Sequence, residues 1–295
     1  MHKTIRLAII GLDSSHTIEF VKRMQAPDCP PEQKIPHLHA VSCLRFATPF
    51  QNEAGLNARQ QQLEAWGVKV TTSFTEAVAD CDALLLVIND PSYHWEYFSR
   101  CVDLGKNIFL DKPLADTVAT GRKIAELINS QNLKVFSASA LRFVPQLATA
   151  CRRIPNPACT TVYGPVGLAP AGSSIIWYGV HTFEMLQRAM GRGAQRVFVR
   201  QDDAGLIAII SYAGGRRGIV ELNQNVWIYG GCLRSTEQAA PFVVDTDRMY
   251  SDLLEKITNF FQGVPSPVAM EDTLEIMAML EAAQHSLVSG KEEEI

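Results

Sequence analysis

Several features are missing from this 295-residue chain, and each absence excludes a class of protein. No apolar run reaches the roughly 20 residues that a membrane-spanning helix requires. The net charge is −4 and the one charge run is a short KEEE near the C-terminus, which argues against binding to nucleic acid or to an anionic membrane. We therefore expect a globular protein whose partner is a small molecule.

The cysteines show no pairing pattern, and we expect no signal peptide. The seven cysteines lie apart, at positions 29, 43, 81, 101, 151, 159 and 232, and no two form a C-x-x-C pair. An odd number of scattered cysteines favours free thiols in a reducing compartment and argues against a structural zinc site. The opening MHKTIRLAIIG has too short an apolar run for a signal peptide, so we expect a cytoplasmic protein without a metal.

The periodicity of the sequence changes near residue 140. Before it, strand-like and helix-like segments alternate, which predicts a parallel, doubly wound sheet of the Rossmann type over residues 1–140. Within this part, a proline-rich loop at 26–36 is expected to lack regular structure. Residues 141–295 contain short strands, a Gly-Gly hairpin at 214–215 and a final helix at 271–288. We expect an α+β domain there, with a mostly antiparallel sheet.

The stretch LAIIGLDSSHTIEF, residues 7–20, lacks glycines where a cofactor fold needs them. A β-strand that ends in glycine and runs into a helix is how a dinucleotide-binding unit begins, with the fingerprint G-x-G-x-x-G. Here the three positions hold Gly11, Asp13 and His16. The second glycine lets the backbone approach a pyrophosphate, and a carboxylate there would repel it by about 3 kcal/mol if it pointed at the phosphate. Asp13, Ser14 and Ser15 are all good N-cap residues, so the helix should begin there in any case.

Two further stretches contain residues that suit catalysis. In FLDKPLADT, Lys112 follows a buried strand, and in open α/β sheets ligands bind beyond the carboxyl ends of strands. A surface lysine at a strand end is the alternative. In WYGVHTFEMLQRAMG, His181 and Glu184 share a helix face, so His181 is a candidate general acid or base. The alternative is a solvated face with a Glu184–Arg188 pair.

Together these stretches resemble the Gfo/Idh/MocA family of oxidoreductases, the family of glucose–fructose oxidoreductase and inositol dehydrogenase. Four stretches resemble the sequence pattern of the family: the run from DALLLVINDPSYHW to NIFLDKPLADT, SALRF at 139–143, YGVHTFEML, and the closing PVAMEDTLEIMAMLEAAQHSLVSGK. The resemblance implies hydride transfer between NADP or NAD and a sugar-like or polyol substrate. It also implies that Lys112 orients the substrate hydroxyl and that His181 is the general base.

By the same resemblance, the loop histidine is His94, on the nicotinamide side. The candidate catalytic residues are Lys112 and His181. The candidate cofactor-binding residues are Gly11, Asp13, Ser14, His16, Arg45, Asn89, His94 and Lys112.

The chain departs from the family pattern in three places. The first is the reduced glycine fingerprint. The second is Arg45, which stands near the place of the acidic residue after the second strand and favours NADP over NAD, unless it is an ordinary surface arginine. The third is Trp177, at the position of an aspartate that the family often has four residues before the histidine. Glu184 or Tyr178 is the candidate substitute for that aspartate.

Two classes of function remain open on the sequence. One is an NAD(P)-dependent oxidoreductase. The other is a non-catalytic binding or regulatory protein that keeps the fold but has a degraded cofactor site. In both cases, the resemblance implies that the second sheet packs on a partner subunit, so we expect a homodimer or tetramer.

Overall fold

A computed structural model describes residues 4–295 as two compact units that interleave along the chain. The first unit takes in the chain up to Ala115, Arg122–Ser137 and Tyr250–Ala269. The second unit takes in Asp116–Gly121, Ala138–Met249 and Met270–Ile295. Each unit has its own sheet.

The first unit is built on six parallel strands in the spatial order β3-β2-β1-β4-β5-β6, the arrangement of a doubly wound nucleotide-binding sheet. The strands are β1 (Ile5–Ile10), β2 (Leu38–Leu44), β3 (Lys69–Thr71), β4 (Ala83–Leu86), β5 (Asn107–Leu110) and β6 (Val135–Phe136). The helices that follow along the chain are α1 (Ser15–Gln25), α2 (Glu53–Ala65), α3 (Phe74–Val78), α4 (His94–Cys101) and α5 (Val118–Ser130).

The central strands explain why this sheet forms. All four residues of β4 are buried, as are the last four of β1, and both strands read as continuous apolar runs. Such runs are typical of parallel strands that are covered on both faces. The strands β1, β4 and β5 neighbour one another in the sheet. Most of the buried polar and charged residues of the unit follow the carboxyl ends of these three strands.

The second unit is built on seven strands in the order β12-β11-β7-β10-β9-β8-β13. Its helices are α6 (Pro145–Arg153), α7 (Val180–Met190) and α9 (Met270–Ser289), while α8 (Met249–Phe261) lies almost wholly in the first unit. Its strands are β7 (Cys159–Pro165), β8 (Ala194–Asp202), β9 (Gly205–Tyr212), β10 (Arg217–Asn223), β11 (Gly230–Arg234), β12 (Ala239–Val243) and β13 (Glu293–Glu294).

The predicted fold class is confirmed, with two local differences. The second sheet is antiparallel except between β7 and β10, and the predicted Gly-Gly hairpin joins β9 to β10. The loop at 26–36 is not wholly irregular, because Pro31–Gln33 forms a 3-10 turn in which proline occupies the first position. Among the residues described, no helix combines the length and the apolar character needed to cross a bilayer. All seven cysteines are free thiols.

Candidate functional site

The turn after β1 keeps one essential glycine. Gly11 has φ of +112°, and a Cβ at this position would lie 2.5 Å from the Val87 carbonyl oxygen at the end of β4. Both the backbone conformation and the close approach therefore exclude other residues. The tight turn that opens a dinucleotide-binding unit is intact.

Asp13 takes the place of the second glycine, and its carboxylate is turned into the protein. Oδ1 accepts a hydrogen bond of 3.0 Å from the backbone N–H of Asn89, and Oδ2 accepts bonds from the Asp90 N–H and from Thr48 Oγ1, at 3.3 and 2.8 Å. The residue is 1% exposed, and burial raises the pKa of its carboxyl group. The repulsion of about 3 kcal/mol expected from the sequence requires a carboxylate that points at a phosphate. Asp13 points instead at the loop after β4 and ties it to the turn after β1.

The start of α1 confirms the predicted N-cap. Ser14 is the N-cap, and its Oγ accepts a hydrogen bond of 3.1 Å from the backbone N–H of His16. Ser15, the first helical residue, is exposed. The N–H groups at a helix N-terminus favour an anionic group, and this is the element on which a dinucleotide pyrophosphate rests in doubly wound folds.

Arg45 follows β2, as expected, but its guanidinium is already engaged. It forms an ion pair with Glu53 and donates a hydrogen bond of 2.6 Å to Gln60 Oε1, both on α2. Glu53 stands directly after its N-cap Asn52 and is largely exposed. An arginine and a carboxylate therefore share the place where such folds recognise the adenosine ribose or its 2′-phosphate.

His94 is fully buried after β4 and holds the backbone of two loops. Its Nε2 lies 2.9 Å from the Ile88 carbonyl oxygen and its Nδ1 lies 3.2 Å from the Leu114 carbonyl oxygen. Both ring nitrogens are thus used within the protein. Asn89, in contrast, contributes its backbone N–H to Asp13 at the carboxyl end of the sheet.

Lys112 is a buried cation of the first unit. It follows β5 directly after Asp111, the Lys112–Pro113 peptide bond is cis, and the side chain is only 7% exposed. Within the described chain, 4–295, no hydrogen bond or ion pair of Nζ is found. Burial lowers the pKa of the ammonium group, while the carboxylates of Asp111 and Asp13 act in the opposite direction. A buried amine without a hydrogen-bond partner is poised to bind an oxygen atom from outside the chain.

His16, at the third fingerprint position, contacts Asp111, the residue that precedes Lys112. The His16 Nδ1 lies 2.6 Å from Asp111 Oδ2, and both side chains are almost completely buried. Sequence reasoning proposed His16 and Lys112 separately and missed Asp111. No local signal could have paired His16 with Asp111, because the two are 95 positions apart.

These residues fit a dinucleotide of the NAD(P) type in several respects. The Gly11 turn, the N-terminus of α1, the Arg45–Glu53 pair and the partnerless Lys112 Nζ all lie at or beyond the carboxyl ends of the parallel strands. A ligand in such a sheet binds at that edge. The Asp13 carboxylate, at the second fingerprint position, is satisfied by three donors inside the unit.

The second unit contains the other candidate catalytic residue, His181, in the first turn of α7. Its Nδ1 lies 2.7 Å from Ser139 Oγ, and the Ser139 Oγ also accepts a bond of 3.2 Å from the backbone N–H of Leu141. Because that hydroxyl is fixed by two partners, it fixes the orientation of the imidazole ring. His181 and Lys112 belong to different units, and each is positioned by its own unit.

Glu184 is not part of a solvated helix face. It is 2% exposed, accepts a hydrogen bond of 3.0 Å from the Ser139 backbone N–H, and forms an ion pair of 3.3 Å with Arg142. Arg142 also reaches Asp272 on α9, at 3.6 Å. The expected pairing with Arg188 is therefore wrong, because Glu184 faces the core, where the cation comes from the 3-10 turn Ala140–Phe143. Glu184 supports Ser139 and with it the orientation of His181.

Aromatic rings surround His181 within the same unit. The centroids of Tyr178 and Tyr229 lie 5.5 and 6.1 Å from that of the imidazole, and Trp227 lies 6.0 Å from Tyr178. Trp227 is 67% exposed despite its size. Trp177, at the position of the family's aspartate, packs on Tyr178 in a π-helical turn, Ile175–Gly179, and such turns are frequent at functional sites.

Comparisons with known proteins agree with this fold. Residues 52–139 match the sequence model of the GFO_IDH_MocA family, described as an oxidoreductase family with an NAD-binding Rossmann fold. An uncharacterized oxidoreductase of Schizosaccharomyces pombe is 32% identical over 90 residues, which are 30% of this chain and 24% of that protein. The uncharacterized oxidoreductase YhhX of Escherichia coli is 27% identical over 140 residues, 42% of this chain and 40% of that protein. The matches thus span less than half the length of these curated relatives.

The likeness of fold extends over the whole chain. The structure of scyllo-inositol dehydrogenase from Lactobacillus casei, solved with NAD(H) and scyllo-inositol, matches with a TM-score of 0.79 and covers 99% of both chains at 15% identity. At this identity the likeness shows the fold alone. The family match over residues 52–139 confirms the resemblance to the Gfo/Idh/MocA oxidoreductase family seen in the sequence.

Proposed function

We propose that the protein is an NAD(P)-dependent dehydrogenase that interconverts a secondary alcohol and a ketone on a polyol or sugar ring. The observation that carries the proposal is Lys112. A buried amine with no hydrogen-bond partner in the described part of the chain stands at the carboxyl end of β5, where ligands of such sheets bind.

The protein's own task in this reaction is the movement of one proton. NAD(P)⁺, when bound, supplies the hydride acceptor. An alcohol carbon that loses hydride becomes a carbonyl only if the hydroxyl proton also leaves. Burial lowers the pKa of Lys112, so the neutral amine that accepts a proton is reached at a lower pH than for an exposed lysine. In the reverse direction, the ammonium donates the proton to the carbonyl oxygen.

His181 is the proton-accepting residue that the second unit offers. Its ring is oriented by Ser139, which is held in turn by Glu184. Trp177 removes the aspartate through which the family often relays a proton, and Glu184 is fully occupied by Arg142 and the Ser139 N–H. We therefore assign Glu184 a supporting role. Tyr178 remains the candidate hydroxyl near His181, and burial raises the pKa of its phenol.

The aromatic surroundings of His181 support a ring-shaped substrate. A sugar or cyclitol ring has faces made of C–H groups and a rim of hydroxyls. Aromatic rings pack against such apolar faces, while the polar atoms of the aromatic side chains and of the imidazole form hydrogen bonds with the hydroxyls. The inositol dehydrogenase of similar fold acts on a substrate of this shape, as its bound scyllo-inositol indicates.

Turnover of a polyol panel tests the proposal. The full chain is assayed with NAD⁺ and NADP⁺ on inositols, aldoses and methyl glycosides, and with NADH and NADPH on inosose-type ketones. We expect Lys112→Met to lower kcat by about 10²- to 10⁴-fold, the usual contribution of a proton-transferring side chain. Lys134→Met, which removes an exposed lysine of the same unit, is the control and should keep full activity.

His181→Asn in the same assay identifies the base. If Lys112→Met retains activity while His181→Asn abolishes it, the base is His181 and Lys112 serves only binding. If the chain binds a dinucleotide but turns over no substrate, the non-catalytic alternative is correct.

We further propose that the chain forms a homodimer or tetramer through the outward face of its second sheet. Phe198 on β8 and Ile209 on β9 are direct cross-strand neighbours and both are exposed, with Ile207 on the same face. Exposed apolar residues in a contiguous group are typical of an interface. A monomeric mass by light scattering at micromolar concentration would contradict this. The cytoplasmic location stays a prediction, to be tested by cell fractionation.

A further inference from the structure

Two unusual features of the first unit occur at one place. His16 stands where the dinucleotide fingerprint has a glycine, and Lys112 is a buried ammonium that does not pair with the carboxylate next to it in sequence. The Asp111 carboxylate connects the two features, because its Oδ2 lies 2.6 Å from His16 Nδ1.

The contact is buried. The side chains of His16 and Asp111 are 8% and 2% exposed. The imidazole packs edge-on against Tyr250, at 5.1 Å between centroids, and lies 5.6 Å from Phe20. A charge-assisted hydrogen bond in such surroundings is among the stronger interactions of a protein, and an ionised Asp111 has no proton to give, so the His16 Nδ1–H is the donor.

The other charged and titratable groups around Lys112 are few. Asp111 and Asp13 are the two carboxylates that act on its ammonium. His94 faces Asp13, and Tyr250, with Arg23 lying over its ring, completes the surroundings of His16. Asp13 is bound by three donors, and His16 holds Asp111 through Oδ2, while Asp111 Oδ1 is buried without a hydrogen-bond partner.

We propose that His16 is a positioning residue for Lys112: by holding the Asp111 carboxylate, it prevents an Asp111–Lys112 ion pair and leaves the Lys112 Nζ available for a substrate oxygen. The proposal accounts for a histidine at the glycine position and for an amine without a partner by one contact. It rests on the proposed function, in which Lys112 binds and exchanges a proton with the substrate.

The test measures Lys112 directly and needs neither substrate nor cofactor. The full-length protein is treated with a trace of acetic anhydride at a series of pH values, and the acetylation of each lysine is quantified by mass spectrometry. Only a neutral amine reacts, so the pH at the midpoint reports the pKa of Lys112. The exposed Lys134 serves as the internal standard in every sample.

Three variants give different expectations. In His16→Leu, Asp111 loses its donor and turns to Lys112, so the midpoint moves to higher pH and acetylation at pH 8 slows by about tenfold relative to Lys134. His16→Asn keeps an N–H donor near the position of Nδ1 and should behave as the wild type. Asp111→Asn removes a negative charge that favours the ammonium, so the midpoint should move to lower pH.

Opposite shifts in His16→Leu and Asp111→Asn support the proposal, since a merely loosened structure would move both in one direction. If the midpoint of Lys112 acetylation moves in the same direction in both variants, or does not move in His16→Leu, the proposal is wrong. If His16→Leu fails to give a cooperative melting curve, the other two variants decide: His16→Asn must match the wild type, and Asp111→Asn must shift downward. A failure here with normal turnover would overturn only the positioning role, whereas loss of the proposed function would show as absent turnover with the labelling pattern intact.

Discussion

Each unit contains a buried carboxylate beside its candidate proton-handling residue, and the two carboxylates are stabilised in different ways. Asp111 precedes Lys112 and is held by the imidazole of His16. Glu184 follows His181 by three residues and is held by the guanidinium of Arg142 and by a backbone N–H. One partner is titratable and the other is permanently charged.

The two pKa values move in opposite directions. Burial acts to raise the pKa of Asp111, but the nearby His16 and Lys112 outweigh it and bring the value to about 2. For Glu184, burial raises the pKa more than Arg142 and the Ser139 N–H lower it. Two charged or titratable neighbours therefore keep the buried carboxylate beside the candidate lysine ionised, whereas the carboxylate beside the candidate histidine is held by one arginine and one backbone N–H.

Removal of that arginine should have the largest effect on stability. Arg142→Met leaves Glu184 buried without a cation, and breaking such a pair costs about 3–5 kcal/mol. Urea unfolding of the full chain measures the loss, with Arg152→Met as the control because Arg152 is exposed on α6. Equal stability of the two variants would mean that Glu184 is stabilised mainly by the Ser139 backbone.

The two carboxylates should also give opposite dependences of stability on pH. The pKa of Asp111 is about 2 in the folded protein and about 3.9 in an unfolded chain, so its ionisation contributes stability above pH ~4 that is lost as the pH falls towards ~2. The contribution is on the order of 2 kcal/mol, and Asp111→Asn should lack it. The raised pKa of Glu184 has the reverse sign: its contribution is present at low pH and is lost as the pH rises above the unfolded value.

Unfolding free energies of Asp111→Asn and Glu184→Gln between pH 3 and pH 8 check both signs. The unfolding free energy of Asp111→Asn should come closest to, or exceed, that of the wild type at the acid end of this range. That of Glu184→Gln should do so at the alkaline end. Parallel curves for the two variants would break the comparison.

Sequence reasoning reached the architecture of both units but not these networks. The alternation of strand-like apolar runs and helix-like segments predicts a doubly wound sheet. The local sequence also predicts the helix cap at Ser14 and the tight turn at Gly11. The partners of buried charges are different. Helical spacing suggested Arg188 for Glu184, yet the true partner is Arg142, 42 positions earlier, because the side of a helix that faces the core is decided by tertiary packing.

The surroundings of the two candidate catalytic residues differ as well, and substitution of Trp227 tests this difference. Lys112 lies among carboxylates, whereas His181 lies among aromatic rings. Trp227→Ala should raise KM for the best ring-shaped substrate of the panel by about tenfold, since an aromatic contact contributes roughly 0.5–1.5 kcal/mol beyond its buried area. Trp95→Ala, a partly exposed tryptophan of the first unit, is the control and should leave KM unchanged. An equal effect of both substitutions would remove Trp227 from the substrate site.

The smallest expected effect concerns the choice of cofactor. Arg45 shares its guanidinium with Glu53, so a 2′-phosphate has to compete with that carboxylate. Arg45→Ala should weaken NADPH more than NADH, and Glu53→Gln should tighten NADPH, because it frees the arginine and removes a negative charge. Equal effects of Arg45→Ala on both cofactors would place the adenosine ribose elsewhere.

We expect the first unit to bind a dinucleotide although its fingerprint keeps a single glycine. Titration of the full-length protein with NADH and with NADPH, followed by nicotinamide fluorescence, tests it most directly. We expect saturable binding of at least one of them well below millimolar concentration. Asp13→Gly should not tighten this binding, because the Asp13 carboxylate faces the loop after β4. No binding of either dinucleotide at millimolar concentration by the wild type, with binding restored in Asp13→Gly, would show that Asp13 blocks the cofactor site.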